Sequence, residues 1–286
     1  MKPMWNPSEE AVEQAQLTQF ARHAVRKHKL DLNSYPDFYQ WTVDNPELFW
    51  NEVWEWCGVR ASRKGNTVLA DGDKMPGAHW YPEARLNFAE NLLRRGDRGD
   101  ALVFWDERGA QRRVSYSELT SDVSRAVQAL QQLGLRAGDR AAAFIPNLPE
   151  TAMFALAALS QGIVWSSCSP DFGVDGVIDR FGQIEPKVLF VADGYLYNGK
   201  QHDVLERVRE IAERLRAMGL EHGDQLQDGR PRAELTERRA HGFLDRRLRL
   251  PEERQEALGQ LVPVEGMAHE VRDIREGLEA LRGSDP

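Results

Sequence analysis

Cysteine is scarce in this sequence. Only Cys57 and Cys168 occur among 286 residues, and neither belongs to a CxxC pair or a histidine-rich stretch. The seven histidines are scattered as well. A disulfide framework, a zinc site and a histidine-based catalytic triad are therefore not indicated. A reducing compartment fits this composition, and we expect a cytoplasmic protein.

Long apolar runs are also missing. No stretch approaches the roughly 20 apolar residues that span a bilayer, and the N-terminal residues lack an apolar core of signal-peptide length. A net charge of −8 implies no general attraction to nucleic acid or anionic membranes. The pairs Arg238-Arg239 and Arg246-Arg247 have acidic neighbours and no interleaved aromatic residue that could stack on bases. We therefore predict no membrane or nucleic-acid partner.

The usual phosphate-binding loops are absent too. The sequence contains no GxxxxGK[ST], no GxGxxG and no Ser/Thr/Gly-rich loop that ends in Pro-Lys. Such loops hold phosphates with backbone N–H groups and a lysine. No ATP-binding loop can therefore be assigned to this chain.

The clearest pattern that is present is a strand, a helix and a second strand. Ala141 to Ile145 is wholly apolar, as in a strand covered on both faces, and Ile163 to Trp165 resumes such a run. Between them, Asn147 is predicted to cap a helix, with Pro149 and Glu150 in its first turn. The pattern predicts a parallel β-α-β unit.

Similar alternation extends in both directions. Ala101–Trp105 and Gln111–Val114 predict a β-hairpin, and the capping box Ser115 to Glu118 opens a helix. Its predicted buried stripe comprises Leu119, Val123, Ala126, Leu130 and Leu133. A helix over about 174–184, a strand over 187–192 and a charged helix from about Gln201 should follow. Parallel sheets of this kind bind ligands at the carboxyl ends of their strands.

The first 98 residues read as a mainly helical, aromatic-rich cap. Glu9–Lys27 has a helical composition, 61–77 resembles a loop, and Pro46 should open a helix within Asp44–Cys57. One predicted face of that helix carries Phe49, Trp50, Val53, Trp54 and Cys57. The stripe is either a ligand site or a surface that packs the cap onto the body of the protein, and packing is favoured because buried aromatic rings mostly supply contact area.

The composition changes after about residue 213. Every lysine or arginine position after Lys200 is an arginine, and Phe243 is the only Phe, Trp or Tyr after residue 200. The segment 230–261 shows no strand-like run, and its few apolar residues could not offset the entropy of ordering. Residues 214–286 are therefore predicted to be a mobile or irregular charged tail. It is either a divergent tail or the product of a shifted reading frame, and the second interpretation is favoured.

Several segments resemble one family. IPNLPE, WSSCSPDFG (Trp165 to Gly173), WYPEARLNFAENLL (Trp80 to Leu93), DRFGQIEPKVLF and DGYLYNGK (Asp193 to Lys200) are similar to the acetoacetate–CoA ligase branch of the adenylate-forming acyl-CoA synthetases. The resemblance covers about residues 1–213. It implies an α/β fold with a helical cap (1–98) and the first, incomplete part of a parallel-sheet AMP-binding domain (99–213).

The resemblance also implies a reaction. Members of this branch join acetoacetate to coenzyme A and cleave ATP to AMP and pyrophosphate through an acyl-adenylate, with Mg²⁺. ATP, Mg²⁺ and coenzyme A are thus the expected cofactors of the full-length family, and acetoacetate or another short-chain carboxylic acid is the expected substrate. The ATP loop and later family motifs are unmatched, so an N-terminal fragment without catalysis, or an interaction module, is the alternative. An incomplete sheet would expose an edge and favour self-association.

Lys200 is the one candidate site residue. By resemblance, basic residues in this segment face the 3′-phosphate of coenzyme A, and a second such position holds Tyr197. A solvated loop lysine is the alternative. Asp171 and Phe172 follow a predicted strand, where a loop could touch a ligand, but a turn after Pro170 explains them equally well. Arg180 is predicted to form a structural ion pair with Asp179 or a helix neighbour. No catalytic or metal-binding residue is assigned.

Overall fold

The structure is a computed structural model that describes residues 4–223 and 260–263. The chain divides into two compact units between Leu86 and Asn87. The domain boundary predicted at residue 98 stays a prediction.

The first unit is mainly helical. Its elements are α1 (Glu9–Gln14), α2 (Gln16–His28), α3 (Tyr35–Asp44), α4 (Pro46–Trp56) and the antiparallel strands β1 (Leu69–Ala70) and β2 (His79–Trp80). Glu9–Lys27 is helical, as its composition predicts, but it forms two helices because Ala15 is extended with a ψ of 135°. The hydroxyl of Thr18 donates to the carbonyl of Val12 at 2.6 Å and satisfies the end of α1. Pro46 opens α4 as predicted.

The aromatic stripe of α4 divides between two sets of neighbours. Phe49 and Val53 pack on the core formed by α2 and α3, and the Phe49 ring lies 6.1 Å from that of Phe20. Trp50 contacts the Trp80 ring at 5.9 Å, and Trp54 contacts the Tyr81 ring at 4.7 Å. These ring contacts all lie within the first unit, while Trp50 and Cys57 are exposed. Packing of the cap onto the body of the protein stays a prediction.

The residue of α4 that is buried is an acid, Glu52, whose side chain is 2% exposed. Cationic and imidazole groups of α2 surround it. The Nζ of Lys27 lies 2.8 Å from its carboxylate, the Nε2 of His28 lies 3.1 Å away and the Nε2 of His23 lies 3.4 Å away. Burial alone would raise the pKa of Glu52, but the contacts with Lys27 and His28 prevail and lower it. A charged Glu52 therefore joins α4 to α2.

The second unit contains the hairpin and the helix that were predicted. Its elements are α5 (Phe88–Leu92), β3 (Asp100–Asp106), β4 (Gly109–Ser115), α6 (Tyr116–Gln132), β5 (Arg140–Phe144), α7 (Pro149–Ser160), β6 (Val164–Cys168), α8 (Val174–Phe181), β7 (Val188–Val191), β8 (Gly194–Tyr197), β9 (Lys200–Asp203), α9 (Leu205–Gly223) and β10 (Gln260–Pro263). The capping box of Ser115 and Glu118 is present. The five predicted residues of the α6 stripe are all buried.

The central sheet has the order β10-β7-β5-β6. β5 pairs in parallel with β6 and with β7, which confirms the predicted β-α-β unit. Successive residues of the strands enter two different cores. Ala141, Ala143 and Phe190 pack with α6 and α7, whereas Phe144 and Leu189 pack with α8 and α9. Both faces of β5 and β7 are therefore covered, as their unbroken apolar runs predict.

The start of α7 differs from the prediction in one detail. Leu148, not Asn147, is the cap residue, and the hydroxyl of Thr151 accepts from its N–H at 3.4 Å and donates to the carbonyl of Pro146 at 2.7 Å. Glu150 is in the first turn as predicted, but it is buried and paired with Arg112 of β4. Glu150 therefore links the hairpin to α7 in addition to facing the helix dipole.

The later elements correct the sequence-based bounds. α8 ends at Phe181, before the predicted residue 184, and Gln201 lies in β9 because α9 begins only at Leu205. α9 continues to Gly223, beyond the point where the tail was predicted to begin.

The tail itself supplies a strand. Gln260–Pro263 runs antiparallel to β7, so the expectation that 230–261 holds no strand-like run is wrong at its end. The other predictions for the tail concern 224–259 and 264–286 and lie outside the described residues. The edge strands of the described sheet are β10 and β6, and the predicted self-association through a sheet edge stays a prediction.

We expect Glu52→Gln to lower the free energy of unfolding by about 1–3 kcal/mol at pH 7, because a buried amide cannot replace the charged contacts with α2. The pKa of Glu52 is lowered in the folded state, so its contribution is present above the unfolded value of about 4.3 and is lost as pH falls through the folded value. Urea denaturation at pH 7 and at acidic pH measures this difference. Glu47→Gln, an exposed change on the same helix, is the matched control. A difference that stays constant down to pH 3 would contradict the expectation.

Candidate functional site

The carboxyl ends of β5, β6 and β7 meet in one row. Phe144 is opposite Cys168 in β6 and opposite Val191 in β7, so the three strands end level with one another. The chain segments that follow them therefore emerge at the same edge of the sheet. This is the edge at which open α/β sheets bind their ligands.

The segment after β6 is held by two arginines. The guanidinium of Arg207 in α9 donates to the carbonyl of Pro170 at 2.9 Å. The guanidinium of Arg180 lies 4.5 Å from the centre of the Phe172 ring and donates to the carbonyl of Gly176 at 2.7 Å. Arg180 thus bonds the backbone of its own helix, and the structural ion pair predicted for it does not form among the described residues. An ion pair with Asp179 is not formed within the described part of the chain. The ring of Phe172 is 37% exposed at this edge.

The segment after β7 forms a hairpin that the sequence analysis missed. At the base of this hairpin, the backbone carbonyl of Asp193 accepts from the N–H of Val204 at 3.0 Å. Beyond this bond, β8 and β9 pair as antiparallel strands. The rings of Tyr195 and His202 stack across the strands at 5.0 Å. Lys200 is the first residue of β9. The structure therefore places it on a short antiparallel ribbon, next to the carboxyl edge of the sheet.

Lys200 and Tyr197 are directly opposite each other in this hairpin. Both are exposed, and the Tyr197 side chain reaches 65% exposure. Within residues 4–223, the ammonium of Lys200 takes no part in an ion pair. The two positions that the family resemblance singled out are thus neighbours in space. The role of Lys200 toward coenzyme A stays a prediction.

A signal for this hairpin was available in the sequence. Asn198 and Gly199 form its two-residue loop, with φ values of 52° and 68°. Two positive φ values in succession define the type I′ turn, for which Asn-Gly is a preferred pair. The signal was overlooked because 200–203 consists entirely of polar residues and lacks the alternation expected of a strand.

The tip of the hairpin is bound by a distant carboxylate. Glu107, in the turn between β3 and β4, accepts the N–H of Asn198 at 2.5 Å and the N–H of Gly199 at 2.6 Å. Each carboxylate oxygen takes one of the two donors. The turns of two separate hairpins are therefore joined by one side chain.

Cys168 ends β6 at the same edge, but it is buried. Burial raises the pKa of its thiol, and the nearby charge of Arg180 opposes this only in part. A thiol of raised pKa holds little thiolate at neutral pH and is a poor nucleophile. Cys168 thus serves packing, since it lies in the core that α8 and α9 cover.

A metal site and a membrane-spanning helix are two further features to consider. Among residues 4–223 and 260–263, no group of three or more His, Cys, Asp or Glu side chains could hold a metal ion. The helices of that same portion include none that is long and apolar enough to cross a membrane.

Comparison with protein families places this geometry in a class. Residues 88–216 match the family of AMP-binding enzymes, and residues 35–92 match the acetyl-coenzyme A synthetase N-terminus. The first match begins within two residues of the boundary between the structural units. Residues 35–216 therefore resemble the adenylate-forming acyl-CoA synthetases, as the sequence motifs predicted.

Individual relatives narrow the class. Acetoacetyl-coenzyme A synthetase of Rhizobium meliloti is 48% identical over 216 residues, which cover 76% of this chain and 33% of that protein. Acetoacetyl-CoA synthetase of Danio rerio is 36% identical over 217 residues, covering 75% and 32% of the two chains. The solved acetoacetyl-CoA synthetase from Streptomyces lividans superposes with a TM-score of 0.69 at 40% identity, over 75% of this chain and 34% of that one.

These relatives confirm the resemblance to acetoacetyl-CoA synthetases. The chain spans about a third of the length of the curated relatives that it matches. The matched third is their N-terminal part.

Proposed function

We propose that this chain forms the N-terminal part of an enzyme that joins acetoacetate to coenzyme A with cleavage of ATP to AMP. The single observation that carries the proposal is the 48% identity to an acetoacetyl-coenzyme A synthetase over 216 residues. The level carboxyl ends of β5, β6 and β7 support it, because they provide the edge at which such sheets bind ligands. Acetoacetate is the proposed substrate, and ATP, Mg²⁺ and coenzyme A are the proposed cofactors.

The proposed chemistry has two steps. The carboxylate of acetoacetate attacks the α-phosphate of ATP and releases pyrophosphate, and the thiol of coenzyme A then displaces AMP. The first step depends on positioning and on groups that neutralise the phosphates. Because the sequence contains no recognisable phosphate-binding loop, we assign none of the described residues to this step. We propose instead that the described residues contribute to the second substrate, coenzyme A.

The contribution to coenzyme A rests on Lys200. Its ammonium is exposed and forms no ion pair among residues 4–223, so it is available to an anion. Lysine binds phosphate as a point charge. We propose that Lys200 contacts the 3′-phosphate of coenzyme A. Since Tyr197 holds the second position, this site has one cation where the family pattern implies two.

For Lys200→Ala, we expect coenzyme A to bind about threefold more weakly, because one exposed charge contributes below about 1 kcal/mol. The binding of 3′-dephospho-coenzyme A should be unchanged. Isothermal titration of both ligands at low and moderate salt measures this, and the loss should shrink as salt rises. Lys74→Ala, an exposed lysine of the first unit, is the matched control. Equal affinity of the unaltered chain for the two ligands would exclude a 3′-phosphate contact by Lys200.

The adenylation step is tested by acetoacetate-dependent exchange of pyrophosphate into ATP. We expect no exchange by the 286-residue chain, because positioning and electrostatics supply nearly all of the rate and no described residue provides them. A version extended through the alternative reading frame downstream of Leu215 should exchange pyrophosphate if that frame encodes the missing loop. Robust exchange by the 286-residue chain would show that it holds a phosphate site outside the residues assigned above. Its absence from both proteins would leave the non-catalytic interpretation.

A further inference from the structure

We infer that Glu107 is a positioning residue for Lys200: its carboxylate holds the tip of the β8–β9 hairpin and thereby sets where the lysine ammonium meets the 3′-phosphate of coenzyme A. The inference rests on the proposed role of Lys200. It assigns a function in ligand binding to the β3–β4 hairpin, whose Glu107 lies 91 residues before Asn198 in the sequence.

The contact itself is specific in geometry. Glu107 accepts from two consecutive backbone N–H groups, at 2.5 Å from Asn198 and at 2.6 Å from Gly199. In a two-residue type I′ loop these two donors are not used by the strand pairing, whose last pair is Tyr197 with Lys200. A carboxylate is the one side-chain group that offers an acceptor oxygen to each of them. Charge-assisted bonds of this kind are the stronger class.

The hairpin needs such an anchor. An isolated two-stranded ribbon is marginally stable in water. At its base, Val204 is buried and Tyr195 packs against the core between the sheet and α8 and α9. Its strands have only four residues each, and Tyr197, Lys200 and Gln201 are exposed. Lys200 directly follows Gly199, so the position of the bound turn fixes the position of the lysine backbone.

The charges at the tip are arranged so that the lysine stays available. Glu107 and Lys200 carry opposite charges and lie near the same turn, yet they form no ion pair in the described residues. The carboxylate is instead bonded to the backbone amides. The same acid therefore anchors the turn without occupying the ammonium that would receive the phosphate.

An alternative role for Glu107 predicts the opposite change in coenzyme A affinity when its charge is removed. If its negative charge acted only by repelling the phosphate, its neutralisation would strengthen coenzyme A binding. If Glu107 positions Lys200, the same change should weaken it. A glutamine side chain has one acceptor oxygen, and its NH₂ group would face the second backbone donor, so Glu107→Gln disrupts the anchor with little change in size.

The test compares Glu107→Gln, Lys200→Ala and the double variant in the full chain. We expect Glu107→Gln to reduce the roughly threefold preference for coenzyme A over 3′-dephospho-coenzyme A toward one, as Lys200→Ala does. The double variant should lose no more than Lys200→Ala alone, since both changes remove the same contact. Hydrogen exchange of the peptide that contains Asn198 and Gly199 should become faster in Glu107→Gln. Glu206→Gln, which removes the same charge from a 94% exposed side chain, is the matched control.

The outcomes distinguish the proposed role of Lys200 from the positioning role of Glu107. No preference for coenzyme A in the unaltered chain would remove the proposed role of Lys200, and with it this inference. A preference that Glu107→Gln leaves intact or increases would overturn the inference alone. Unchanged exchange at Asn198 and Gly199 would also overturn it, because the anchor would then not hold the turn.

Discussion

Burial of β5 and β7 on both faces is the constraint on which the second unit depends. Ala141 to Phe144 and Val188 to Val191 are almost fully inaccessible to solvent, and alternate residues enter two separate cores. Each face must therefore be covered by helices, which α6 and α7 provide on one side and α8 and α9 on the other. With both faces covered, polar chemistry can take place only where the strands end. The constraint that holds the sheet together thus also fixes the location of the candidate site.

This constraint explains why much of the fold could be predicted. A strand buried on both faces needs a continuous apolar run, and such runs stand out in a sequence. The β5–α7–β6 unit, the α6 stripe and the capping box of Ser115 and Glu118 were predicted because each is specified by residues close together in the chain. The family assignment had the same basis, since its motifs are continuous segments.

The features that escaped prediction depend on partners far apart in the sequence. Glu52 is buried although the predicted stripe of α4 did not include it, and the groups of α2 make its charge tolerable there. The β8–β9 hairpin has entirely polar residues in one strand, so its turn was the only local indication. β10 pairs with β7 across a long sequence separation, and a four-residue run in a charged segment carries no signal of that pairing. Local patterns cannot report such contacts.

Contacts between residues that are far apart in the sequence also matter for the proposed function. A lysine that binds phosphate as a point charge depends on where its backbone is held, and in this chain that position is governed by a short ribbon at the edge of the sheet. The ribbon is anchored at its base by apolar packing and at its tip by Glu107, a residue of another hairpin. Comparison of the Lys200 segment alone with that of other proteins would miss this dependence. Two chains with the same lysine could differ in phosphate binding if only one of them has an acid in the β3–β4 turn. The position of Lys200 is therefore a property of two hairpins together.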